Sequence, residues 1–298
     1  MIRDVIADFV DRKDELAVFR RMLAGESDKR ILLVMEPGEK GKSYFIQRLF
    51  YECGPQQAPV AILDFDQSRS GWNDYLGVAR EVRRYLGDDC APAICACEDN
   101  IFRPKPLVNV QTGDGDGGVE FGRRNRFDAA DVSEVGGRDN IKVEVGAVVA
   151  GPPSPNVAAR HRAEMGRALR DDLARLGREG QRAVLLVDTF EQAREDTCAW
   201  LERWVLDSLP RELAHVVLVV GGRPRCQSFF AQARPWSHLV ARVRFGQMDD
   251  ADIENHYRRR GIVVGEDELP GLLRLARLGP ARMAEVGDLL EQSKGGAR

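Results

Sequence analysis

Much of what would give a function away is missing from this chain of 298 residues. No apolar run approaches the roughly 20 residues that a membrane-spanning helix needs. The longest, such as Ala183 to Val187 and Val216 to Val220, are short. The first residues carry acids at Asp4, Asp8 and Asp11 and no apolar core of signal-peptide length. A dominant charge is missing too. The 44 basic and 47 acidic residues leave a net charge of −3, so there is no global electrostatic case for nucleic acid or an anionic membrane. The expectation is a cytoplasmic protein, with no membrane and nucleic acid an unlikely partner. Histidine is scarce, with four residues (161, 215, 238 and 256) and no close pair. The six cysteines include one local cluster, Cys90, Cys95 and Cys97, but no second knuckle of the kind zinc sites use. These read as loop thiols in a reducing compartment. No internal repeat is evident.

What is present has the rhythm of an α/β protein. Four runs, Ile31–Met35, Val60–Phe65, Ala183–Val187 and Val216–Val220, are rich in Val, Ile and Leu without alternation. Such runs fit strands buried on both faces of a parallel sheet. Leu239–Phe245 alternates and suits an edge strand. Helical patterns fall between them at Lys13–Leu23, Ser43–Cys53, Arg162–Leu176 and Thr197–Leu206. Strands alternating with helices predict a three-layer sheet with helices on both faces. The stretch 88–156 breaks the rhythm with Gly113 to Gly118, Gly136-Gly137 and the segment 151–155, and reads as an insertion. It holds short strand-like pieces at Leu107–Val110, Val119–Phe121 and Ile141–Val145. After Phe245 the pattern turns helical, at Asp249–Arg260, Glu266–Leu278 and Ala281–Glu291. The expected division is a domain at 1–245, with the insertion at about 88–156, and a small helical lid domain at 246–298.

Chemistry concentrates in three segments. The first runs Ile31 to Ile46: a buried strand, Glu36-Pro37-Gly38-Glu39-Lys40-Gly41, then Lys42-Ser43-Tyr44 opening an amphipathic helix. A phosphate-binding loop requires this context, because backbone N–H groups and the helix dipole face the anion. Gly38, Glu39, Lys40, Gly41, Lys42, Ser43 and Tyr44 are the candidate nucleotide contacts. Lys42 would bridge the outer phosphates and the Ser43 hydroxyl would ligate Mg²⁺. The pattern wants glycine where this chain has Glu36, and Glu39 is a second carboxylate beside the anion. In the second segment, Arg182 to Glu191, an apolar strand ends in Asp188, placed to hold Mg²⁺ opposite Ser43. Glu191 is the candidate to polarise the attacking water. In the third, the strand Val216–Val220 delivers Arg223 to the carboxyl edge of the sheet, within reach of a γ-phosphate.

These segments, with Asp8 to Leu16, the run 252–262 and Leu278-Gly279-Pro280, resemble the nucleotide-binding module of bacterial STAND ATPases, the AAA+-related signal-transduction NTPases. The resemblance covers about residues 8–65 and 160–290. It implies a P-loop NTPase fold, ATP or ADP with Mg²⁺ as cofactors, and slow hydrolysis in a regulatory switch. It also makes Val10 and Arg12 candidate adenine-side residues, and Pro280 a lid residue approaching the base. The partners it implies are a nucleotide, a protein effector and a second copy of the chain. Three readings stay open: a switch with weak ATPase activity, a non-hydrolysing scaffold of the same fold that recruits a protein, and a P-loop kinase or motor. No arginine-rich lid supports a kinase, and net acidity counts against a motor.

Overall fold

The computed structural model describes residues 12–38, 40–66, 73–102, 106–112, 141–147, 154–246, 250–260, 262, 269–276 and 286–290. Within them the chain forms two compact units, Met1–Cys97 with Arg162–Arg298, and Glu98–His161. Val10, Glu39, Val119–Phe121 and Pro280 lie outside the described residues.

The apolar runs become strands because each can be buried on both faces. In β1 (Ile31–Met35) all five residues are buried, and so are those of the later strands Val184–Asp188 and Val217–Gly222. Strand β2 (Val60–Asp64) alternates, as befits an edge. Numbering in chain order makes Val184–Asp188 β5, Val217–Gly222 β6 and the edge strand Val240–Val243 β7. The sheet is parallel throughout, in the order β2-β5-β6-β1-β7. Strand β6 therefore separates β1, which leads into α2, from the strand that ends in Asp188. Register aligns Met35 with Gly222 and Asp64 with Asp188, so the carboxyl ends of four strands share one edge.

Helices cover both faces. α1 (Lys13–Ala24) buries Leu16, Phe19, Met22 and Leu23, and α2 (Lys42–Cys53) buries Phe45, Ile46, Leu49 and Cys53. They pack against Leu32, Val34, Val184, Leu186, Val217 and Val219. Side chains alternate along a strand, so Ile31, Leu33, Leu185, Val187, Leu218 and Val220 point to the other face. These are buried as well. Each such aliphatic side chain contributes about 1.5–3 kcal/mol. α5 (Pro155–Arg178) adds buried Met165, Leu169, Leu173 and Leu176, α6 (Glu195–Trp204) adds Trp200 and Leu201, and the short α7 (Gln227–Ala231) adds Phe230.

Two helices depart from the sequence reading. α3 (Tyr75–Leu86) starts at Asp74, whose side chain accepts the Gly77 N–H at 2.8 Å, and it buries Val78, Ala79 and Val82. α4 (Pro92–Phe102) occupies the start of the stretch read as an insertion, and it carries Cys95 and Cys97. The clustered thiols are therefore not all in a loop. Among the described residues, no three or more His, Cys, Asp or Glu side chains gather as a metal-binding group. What begins α4 is Asp172 of α5, whose buried carboxylate accepts the N–H groups of Ala93 and Ile94 at 3.0 and 2.9 Å. The unit Glu98–His161 contains an antiparallel pair, β3 (Pro106–Thr112) and β4 (Ile141–Ala147), registered from Pro106 with Ala147 to Thr112 with Ile141.

Beyond the sheet, α8 (Asp250–Arg259), α9 (Leu269–Ala276) and the helical residues 286–290 build a second, smaller core. Ile253, Tyr257, Ile262 and Leu272 are buried in it, with Leu273, Val286 and Leu290 against them. Arg260 closes it with an ion pair to Asp288 at 2.7 Å. No helix among the described residues is long and apolar enough to cross a membrane.

Candidate functional site

The turn after β1 works because Gly41 adopts φ 82° and ψ 21°, a left-handed geometry that L side chains resist. It is the N-cap of α2, and no side chain caps that helix, so its dipole opens toward the loop. Lys42 is the first residue of α2. Its Nζ donates to the carbonyls of Glu36 at 2.9 Å and Pro37 at 2.8 Å. Burial lowers its affinity for a proton, an effect opposed by the carboxylates of Glu191, Asp188 and Glu36 and reinforced by Arg223. The lysine thus lies in the field of all three segments singled out in the sequence.

Ser43 follows, exposed on the first turn of α2, and its hydroxyl favours the charged form of the Asp188 carboxylate. Asp188 is 5% exposed, and burial raises its proton affinity, with the negative charge of Asp64 adding to the effect. Ser43, the Thr189 N–H at 2.8 Å and Lys42 oppose it. Asp188 does not cap the helix that follows. Thr189, directly after it, has φ 54°, which is exceptional for a β-branched residue. Its N–H goes to Asp188 and its Oγ1 donates to Asp64 at 3.3 Å, so both acids hold this backbone in place.

Glu191 and Arg223 are brought together. The Arg223 N–H donates to Glu191 Oε2 and its Nε to Oε1, both at 3.1 Å. The Glu191 side chain is 7% exposed while that of Arg223 is 60% exposed, so the pair places a buried carboxylate behind a solvent-facing guanidinium. Gly221 and Gly222 make room for this. A Cβ on Gly221 would lie 2.5 Å from Ile46 Cδ1 and 3.3 Å from Asp188 Oδ1. On Gly222 it would lie 3.2 Å from Met35 Sδ and 3.4 Å from Glu191 Oε2. Glycines closing an apolar strand were the available sign of such a close approach.

The remaining candidates fall around this centre. Gly38 has open space about it, Lys40 is half-buried and Tyr44 is half-buried on the first turn of α2. Arg12 lies 4.0 Å from the Glu15 carboxylate. Its guanidinium lies over the Phe245 ring, 4.5 Å from the centroid, and its Nη1 donates to the Gly246 carbonyl at 2.8 Å. Asp64 and Thr189 were not anticipated. Their part depends on lateral register between strands, which no local motif encodes.

The parallel sheet, the glycine turn and the helix it opens make a three-layer α/β fold of the P-loop type. Among solved structures, Cdc6p from Pyrobaculum aerophilum matches 99% of this chain and 67% of its own, with 12% identity and a TM-score of 0.52. Orc1 from Aeropyrum pernix in complex with DNA matches at 17% identity and a TM-score of 0.47, over 98% of this chain and 63% of its own. The replication initiator DnaA, bound to AMPPCP and single-stranded DNA, matches at 10% identity and a TM-score of 0.48, over 95% and 63%. This chain thus spans less than two thirds of the last two proteins. No protein-family profile matches it, and no curated protein does. The expectation that nucleic acid is an unlikely partner is corrected: it rested on net charge alone, and the Orc1 and DnaA structures were solved with DNA. A net charge summed over the whole chain averages away local basic surface, which is what a phosphate backbone meets.

Proposed function

We propose that this chain is an ATP- or ADP-binding regulatory switch of the STAND type, with weak Mg²⁺-dependent ATPase activity. The reading is carried by the left-handed Gly41 turn that leads from β1 into the uncapped start of α2, where Lys42 and Ser43 stand within the electrostatic reach of Asp188 at the end of β5. Ser43 and Asp188 offer two oxygen donors of the kind Mg²⁺ takes, and the uncapped start of α2 suits phosphate. Ser43 and Asp188 would hold the ion, which when bound neutralises phosphate charge. Lys42 leaves the two loop carbonyls for the phosphates, and the loop N–H groups orient them. Gly38, Lys40, Gly41 and Tyr44 line the same turn in this reading. Arg223 is the residue that meets the outermost phosphate, and Glu191 is released to water only when Arg223 moves.

That coupling favours low turnover. It also supports a second reading, a P-loop scaffold that binds nucleotide, hydrolyses none and recruits a protein partner. In both readings residues 246–298 form a lid and the effector is a separate protein or a second copy. Calorimetric titration of the wild type and Lys42→Ala with MgATP and MgADP tests the proposal. Micromolar binding lost on substitution supports it, and no binding by the wild type sinks it. Phosphate release, measured alongside, separates the switch from the scaffold.

A further inference from the structure

Glu36 stands where the phosphate-loop pattern has glycine, and the structure gives its side chain a partner. Its Oε1 accepts the N–H of Phe245 at 3.0 Å. Its own N–H donates to the Gly222 carbonyl at 3.1 Å, and its carbonyl accepts Lys42 Nζ at 2.9 Å. Phe245 is gripped from other sides too. Phe45 of α2 meets its ring edge-on, with centroids 5.3 Å apart, and Arg12 covers it while bonding Gly246. Phe245 and Gly246 follow the edge strand β7 and precede α8. One residue therefore touches the phosphate-loop lysine through its main chain and the exit from the sheet through its side chain.

We propose that Glu36 is a positioning residue that couples occupancy of the phosphate loop to the Phe245–Gly246 junction. The inference rests on the nucleotide reading above. Phosphates that draw Lys42 away remove a hydrogen bond from the Glu36 carbonyl and bring negative charge toward its carboxylate. Both changes act on the group that holds the Phe245 N–H. Glycine at this position has no carboxylate to transmit either one. Coupling of this kind is reciprocal, so a change at the junction alters nucleotide affinity by the same factor. A carboxylate that only satisfied the Phe245 N–H would hold it equally well with the loop filled or empty.

Amide hydrogen exchange on the full chain, in peptides spanning Phe245, is the test, with and without MgADP and MgATP. In the wild type, nucleotide is expected to change exchange at Phe245–Gly246 at least threefold. In Glu36→Ala that response is expected to vanish while calorimetry still detects binding, with affinity altered at least threefold. Glu36→Gln keeps an acceptor in place without the charge, and serves if the alanine variant does not fold. It is expected to protect Phe245 as the wild type does without nucleotide and to respond less than half as strongly when nucleotide is added. Nucleotide binding without a junction response in the wild type, or a full response in both variants, overturns the coupling and leaves the nucleotide reading intact. Absence of nucleotide binding in the wild type overturns both.

Discussion

A carboxylate removed from water and set beside another carboxylate costs stability, and Asp188 is in that position, buried with Asp64 as its in-register neighbour. Folding alone would favour a neutral group there. Asp188→Asn is therefore expected to keep or raise the melting temperature while abolishing Mg²⁺-dependent phosphate release. Scanning calorimetry beside a phosphate assay checks this, and a variant that both melts lower and retains hydrolysis would refute the assignment. The same residue shows how far single positions were legible. Lys42, Ser43 and Asp188 stood out as candidates because a glycine turn before a helix and an acid at a strand end are patterns of spacing along the backbone. Asp64 and Thr189 did not, since their hydroxyl–carboxylate contact joins neighbouring strands that are remote in sequence. Glu36 looked like a defect of the motif. Its partner, Phe245, lies 209 residues away, beyond the reach of any local pattern.

At the scale of elements, the strands were readable because burial on both faces leaves a mark of pure composition. The edge strand β7 was readable from its alternation. Helices α3 and α4 were harder. α4 opens on Pro92, and the acceptor for its first N–H groups comes from α5, so its own sequence lacks a start signal. Asp172→Ala leaves the Ala93 and Ile94 amides without that acceptor. The expected loss is about 1–3 kcal/mol in chemical denaturation. Asp172→Asn, which keeps an acceptor oxygen, should lose less. Burial raises the proton affinity of the Asp172 carboxyl above the usual carboxylate range, against its two N–H bonds and Arg175. A raised folded-state pKa adds stability that is complete below the unfolded value near ~4 and fades as pH climbs through the folded value. Wild-type stability relative to Asp172→Asn should therefore fall as pH rises above about 4. A flat difference across that range would rule out this account of the buried cap.

The whole molecule was the least legible scale. Net charge seemed to dismiss nucleic acid, yet a sum over 298 residues says nothing of any one surface. Strand order was equally hidden, because apolar runs announce that they pair without saying with which neighbour. That order has a consequence for how the protein is made. Both neighbours of Ile31, Leu218 in β6 and Val240 in β7, come late in the chain. At ~5–20 residues per second, β1 leaves the ribosome on the order of ten to forty seconds before either partner exists. Through that interval an Ile-Leu-Leu-Val-Met strand has no ladder to join, and chaperones have time to take hold of it. Ribosome-arrested chains ending at residue 215 should yield to protease throughout the β1 region, whereas released full-length chains should resist. Early resistance in the arrested chains would point to a different folding order. The turn from β1 into α2, first of the three chemical segments to be synthesised, is on this account the last to take shape.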